Sequence, residues 1–209
     1  KCVGRIGGII IPQWIEKENE KLGRFTRPEF INDITVANAL FEKVAEWLKS
    51  EGMTGMLGPL GFSNLDHQGL LIEGHDWLPS IASDYHFAYY HDIYKKAGFE
   101  KEIDWLEFRI TFPSELPDKT FRVADMIKTR YGLQLVNFKR KEDLEPYREK
   151  IFVLFNKAFS DLFGTYPLPE KLCRYYINKF FPMLNPKYVK IVLDNDNQMV
   201  GFIIGLPSL

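Results

Sequence analysis

The sequence predicts a mixed α/β protein, and three observations carry that prediction. Val36, Leu40, Val44 and Leu48 recur every four residues within Ile34 to Ser50, with Phe41 and Trp47 widening the stripe, which describes a helix with one apolar face. Leu133 to Phe138, Lys187 to Leu193 and Met199 to Leu206 are short runs of branched and aromatic residues that read as strands. The last two runs flank Asp194-Asn195-Asp196-Asn197, a composition that tolerates the positive φ values of a hairpin turn.

Taken in order, the chain opens on a strand pattern, Val3-Gly4-Arg5-Ile6-Gly7-Gly8-Ile9, which is echoed by Val200-Gly201-Phe202-Ile203-Ile204-Gly205-Leu206 near its end. Such an echo is the expected trace of a duplicated domain. The glycines at 4, 7 and 8 are strand glycines rather than a dinucleotide fingerprint, because Ile9-Ile10-Ile11-Pro12 follows where a helix should open. The long helix is capped by Asp33 and stopped by Gly52. Met53 to Phe62 reads as a strand, and Ser63 to Asp84 as a loop longer than an ordinary connection. A short helix, Tyr89 to Ala97, ends at Gly98, and Ile103 to Phe112 reads as a long strand.

Pro113 and Pro117 break both helix and sheet and mark a boundary. Asp118 to Arg130 reads as a linker helix, followed by the strand at Leu133, an aromatic-rich helix from Leu144 to Phe163, and a helix from Pro169 to Phe181. The expected organisation is therefore a first unit over 1–112, a linker over 113–131 and a second unit over 132–209. A first residue that is Lys1 and a final apolar run suggest a part of a longer protein.

Composition narrows the function. With 27 basic and 28 acidic side chains the net charge is −1, so no whole-protein field draws the chain to nucleic acid or anionic lipid. Two cysteines, Cys2 and Cys173, give neither a disulfide framework nor a zinc spacing, and no metal is expected. No apolar run reaches the ~18 to 20 residues of a membrane span, and no leader pattern opens the chain. A cytoplasmic location and no membrane partner are the expectations.

The order of elements resembles the GNAT superfamily of N-acetyltransferases. Strand, helix, helix, strand, strand from Leu133 onward is similar to the opening of a GNAT domain, and the elements from Phe25 to Phe112 are similar to its closing part. The resemblance thus implies the back half of one GNAT-like domain followed by the front half of a second, with a mixed central sheet flanked by helices. Tyr94-Lys95-Lys96-Ala97-Gly98-Phe99 resembles the family's Y-x-K-x-G-F segment, whose tyrosine protonates the leaving thiolate. Glu29, on the strand before the long helix, takes the place of the family's general base. Gly58-Pro59-Leu60-Gly61-Phe62-Ser63-Asn64 resembles, one residue out of register, a segment of bacterial GNAT-like proteins.

The resemblance implies acetyl-CoA or another acyl-CoA as co-substrate, a small-molecule or peptide amine as acceptor, and acyl-donor contacts at Asn32, Thr35, Val36 and Ala37. Tyr166 is implied on the acceptor side, and Asn64 lies on the polar loop read as facing substrate. One departure stands out: the family's glycine-bearing turn, whose bare N–H groups suit a pyrophosphate, is replaced by Asn32-Asp33-Ile34-Thr35-Val36-Ala37. The alternative is therefore a binding module derived from the same fold that has lost its activity. A hydrolase using Ser63 and His67 is disfavoured, because Ser63 lacks the flanking glycines of a nucleophile elbow.

Overall fold

The computed structural model describes residues 1–206, so the final three positions of the expected second unit, Pro207, Ser208 and Leu209, lie outside the described residues. The fold is mixed α/β, with two three-stranded sheets flanked by helices. The described residues divide into two compact units: Lys1–Leu106 with Asp161–Tyr166, and Glu107–Ser160 with 167–206.

The first unit is built on a sheet ordered β1 (Gly4–Ile9), β2 (Leu22–Phe30) and β3 (Gly55–Leu57). β1 and β2 are antiparallel, and the connection through α1 (Pro12–Glu18) starts with proline at a position where its missing N–H costs nothing. β2 and β3 are parallel, which requires the crossover supplied by α2 (Ile34–Ser50). The buried stripe of α2 is Ala37, Phe41, Val44 and Leu48; Phe41, Val44 and Leu48 belong to the expected stripe, whereas the expected Val36 and Leu40 are only partly buried. A Cβ on Gly23 would lie 2.1 Å from Leu48, and one on Gly8 would lie 2.5 Å from the Trp47 ring, so bare backbone at both strand positions admits the helix.

The core of this unit is aromatic. Phe25 and Phe30 from β2 meet Phe41 from α2 and Tyr90 and Tyr94 from α3 (Tyr89–Lys96), with ring centroids 4.5 to 6.4 Å apart. No helix or strand lies between β3 and α3, and the strand expected over Met53 to Phe62 contracts to three residues. The strand expected over Ile103 to Phe112 does not form: residues 101–113 hold no regular structure, and Phe108, Ile110 and Phe112 are exposed. Alternating hydrophobicity marks a strand only when a partner covers one face.

The second unit holds α4 (Asp118–Tyr131), β4 (Gln134–Asn137), a 3-10 turn over Lys141–Tyr147, α5 (Arg148–Phe159), α6 (Glu170–Phe180), β5 (Val189–Leu193) and β6 (Met199–Ile204). The helix expected from Leu144 to Phe163 is thus split, because Pro146 lies in its first turns and lacks the N–H that an α-helical ladder needs. Its sheet is antiparallel and ordered β4-β5-β6. Val189, Ile191 and Leu193 alternate inward from β5 onto Phe138, Leu144 and Ile151. Among the described residues no helix is long and apolar enough to cross a membrane.

Candidate active site

The chemistry-bearing side chains of the first unit gather around the C-terminal end of β2. Phe30, its last residue, is held by two hydroxyls: its N–H donates to Tyr90 Oη at 3.1 Å, and its carbonyl accepts from Tyr89 Oη at 2.7 Å and Tyr90 Oη at 3.4 Å. Glu29, one residue earlier, faces away from this core. Its carboxylate is exposed and engaged by the Arg5 guanidinium of β1 at 2.5 Å.

Tyr94 lies inside the aromatic core, 6% exposed, and its hydroxyl has no hydrogen-bond partner. Burial pushes that hydroxyl far above the ordinary phenol range, with a smaller contribution from Tyr90. Phe41 and Phe99, whose rings touch Tyr94 at 5.3 and 5.4 Å, also line an open groove of about 350 Å³ shared with Asn38, Glu42, Met56 and Lys96.

The acyl-donor positions sit at the start of α2. Asn32 and Thr35 are exposed, Val36 is partly buried and Ala37 is fully buried. Asp33 caps the helix: its carboxylate accepts the Thr35 N–H at 2.8 Å, and its carbonyl accepts the Ala37 N–H at 3.1 Å. The anion at this helix terminus is supplied by the chain itself.

The long loop between β3 and α3 is joined to the middle of β2 by the Leu60 N–H, which donates to the Phe25 carbonyl at 3.0 Å, and is folded on itself by the Gly69 N–H, which donates to the Pro59 carbonyl at 2.8 Å. Within it, Asp84 bonds His67 Nδ1. His86 Nδ1 accepts the Leu71 N–H at 3.3 Å, and its ring packs on Tyr90 at 5.3 Å. Burial holds His86 below its ordinary range, against the opposing pull of Asp84 and Glu29. The predicted Glu29 and the unpredicted Asp84 thus act on one histidine. Ser63 is buried, and its hydroxyl accepts the Leu65 N–H at 3.1 Å, while Asp66 accepts from the amides of Phe62 and Ser63. Asn64 is partly buried on the same loop.

Tyr166 lies elsewhere, within electrostatic reach of Arg24 and Asp66, and burial is the main cause of its raised pKa. Five residues of strand, about 16 Å of rise, separate Arg24 from Glu29, so Tyr166 sits by Arg24 and the loop residue Asp66 rather than by Glu29. Sequence reading missed Asp84 and His86. The histidines and acids of the loop were visible as types, but nothing in their spacing says which two meet. Among the described residues, no group of three or more His, Cys, Asp or Glu is placed to hold a metal.

The chain is similar to two curated bacterial proteins. It is 27% identical over 221 residues to protein YghO of Escherichia coli K12, covering 100% of this chain and 53% of that protein. It is 25% identical over 213 residues to a bacterial ceramide synthase of Caulobacter vibrioides, covering 99% of this chain and 53% of the relative. The chain therefore spans about half the length of both relatives. No family model matches the chain. No solved structure matches it.

Proposed function

We propose that the chain is part of an acyl-CoA-dependent N-acyltransferase whose acceptor is the amine of a long-chain, amphiphilic molecule. The observation that carries this reading is the similarity to a ceramide synthase along 99% of the chain. A ceramide is the amide of a fatty acid with a long-chain amino alcohol, so its synthesis is acyl transfer to an amine. The exposed apolar side chains of the long loop suit a hydrocarbon chain: Trp77, Leu78, Ile81 and Phe87 are between 43% and 84% exposed on the segment that carries Asp84.

The acyl donor has a partial fit. The Tyr94 hydroxyl is a buried donor lacking an acceptor, and the groove lined by Phe41 and Phe99, whose rings touch Tyr94, gives a long donor a place to lie. The GNAT resemblance gives Tyr94 the role of donating to a departing thiolate; the burial that raises its pKa makes it a weaker acid for that step. The start of α2 fits less well, because the Asp33 carboxylate occupies one of the N–H groups that a pyrophosphate needs.

The test is amine-dependent thiol release. Mixed with a long-chain acyl-CoA and a sphingoid base, the protein carrying this chain should liberate free coenzyme A thiol in proportion to the amine. Thiol release that is indifferent to the amine would place the activity among hydrolases, and no release at all would favour a binding module.

A further inference from the structure

We propose that His67, oriented by Asp84, is the general base that deprotonates the acceptor amine; this rests on the N-acyltransferase reading above. The two residues are separated by 17 positions of loop and meet through His67 Nδ1. An ionised carboxylate only accepts hydrogen bonds, so Nδ1 carries the proton in the neutral ring and Nε2 keeps its lone pair. His67 makes no other hydrogen bond among the described residues, and its side chain is 47% exposed. Its Nε2 is thus a basic nitrogen of defined tautomer that a substrate can reach. Asp84, 37% exposed, stabilises the imidazolium once the proton has arrived.

Glu29, His86 and Asp66 are already committed. Glu29, the base implied by the GNAT resemblance, is bound to Arg5. His86 spends its Nδ1 lone pair on the Leu71 N–H and is more deeply buried. Asp66 accepts from two backbone amides. The Ser63 hydroxyl accepts from Leu65, and His67 does not bond it, so the pair does not extend to a nucleophilic serine.

The proton balance closes. An amine reaches the site mainly as its ammonium, which cannot attack. His67 Nε2 takes one proton from it, the freed nitrogen attacks the thioester carbonyl carbon, a C–N bond forms and the C–S bond breaks. The second nitrogen proton leaves with the thiol, and the imidazolium later returns the first to solvent.

The experiment uses the full-length protein with palmitoyl-CoA and sphinganine, following amide and free thiol together in wild type, His67→Gln, His67→Gly and Asp84→Asn. The expected result is a loss of roughly 10²- to 10⁴-fold in kcat/KM for the amine in both His67 variants, with an unchanged melting temperature. Asp84→Asn should lose less, and added imidazole should restore part of the His67→Gly activity, which a merely structural role for the ring would not permit. An active wild type with fully active His67→Gln overturns the assignment and leaves the acyltransferase reading standing. A wild type that forms no amide overturns both.

Discussion

The Arg24 guanidinium on β2 donates through Nη2 to the Gly164 carbonyl at 2.7 Å, joining residues 140 positions apart. Nη1 donates to the Gly61 carbonyl at 2.9 Å, and the Trp14 ring covers the cation at 5.0 Å. The side chain is 1% exposed, and burial lowers its pKa to about 10, which still leaves it charged at neutral pH. Arg24 therefore ties both the start of the long loop and the 161–166 segment to the sheet. Arg24→Met should cost about 3 kcal/mol in urea unfolding, because it strands two buried carbonyls. A cost under about 1 kcal/mol would mean that water satisfies them instead.

Tyr94 yields a prediction in which stability and activity part. Removing a buried hydroxyl that has no partner should leave the fold as stable or raise it by about 1 kcal/mol, so the melting temperature of Tyr94→Phe should not fall. If the hydroxyl protonates the leaving thiolate, the same variant should lose about 10²-fold in kcat. Loss of both together would assign the hydroxyl a structural bond.

His86 should make the first unit sensitive to acid. Its folded pKa lies below the ordinary 6.5 because of burial, with Asp84 and Glu29 pulling the other way. Between the two values the unfolded chain binds a proton that the native chain does not, so stability falls as pH drops through that window and is fully present above it. His86→Gln keeps an acceptor for the Leu71 N–H without titrating. Melting temperatures measured from pH 7 to pH 4 should decline less steeply in this variant, and parallel curves would remove His86 from the account.

Asp33 separates the two fates of the helix terminus. Asp33→Gly frees the Thr35 N–H and removes a negative charge, while glycine costs only a few tenths of a kcal/mol as an N-cap. Isothermal titration should show acetyl-CoA binding more tightly to the variant. Equal affinity would place the donor's pyrophosphate away from Asn32, Thr35, Val36 and Ala37.

The legible parts of the fold are those whose pattern is satisfied locally. α2 was readable because its apolar residues return every turn: Phe41, Val44 and Leu48 of the expected stripe are buried, joined by Ala37, while Val36 and Leu40 are only partly buried. The β5–β6 hairpin was readable from Asp194 to Asn197, where Asn197 does adopt a positive φ of 56°. Ile103 to Phe112 misled, because alternation shows what a strand wants to cover and not whether a partner is present. At the site, Glu29 and Tyr94 came from a family resemblance. The meeting of His67 with Asp84 came only from the path of an irregular loop, which no periodicity encodes.

The most direct test of the account is to follow, by mass spectrometry, a carbon-13-labelled acyl group from its coenzyme A thioester in the presence of a sphingoid base and the full-length protein. The account predicts that the label appears in the amide of that base, with one free thiol released for each amide formed. Label recovered only as unchanged thioester or as free fatty acid would contradict it.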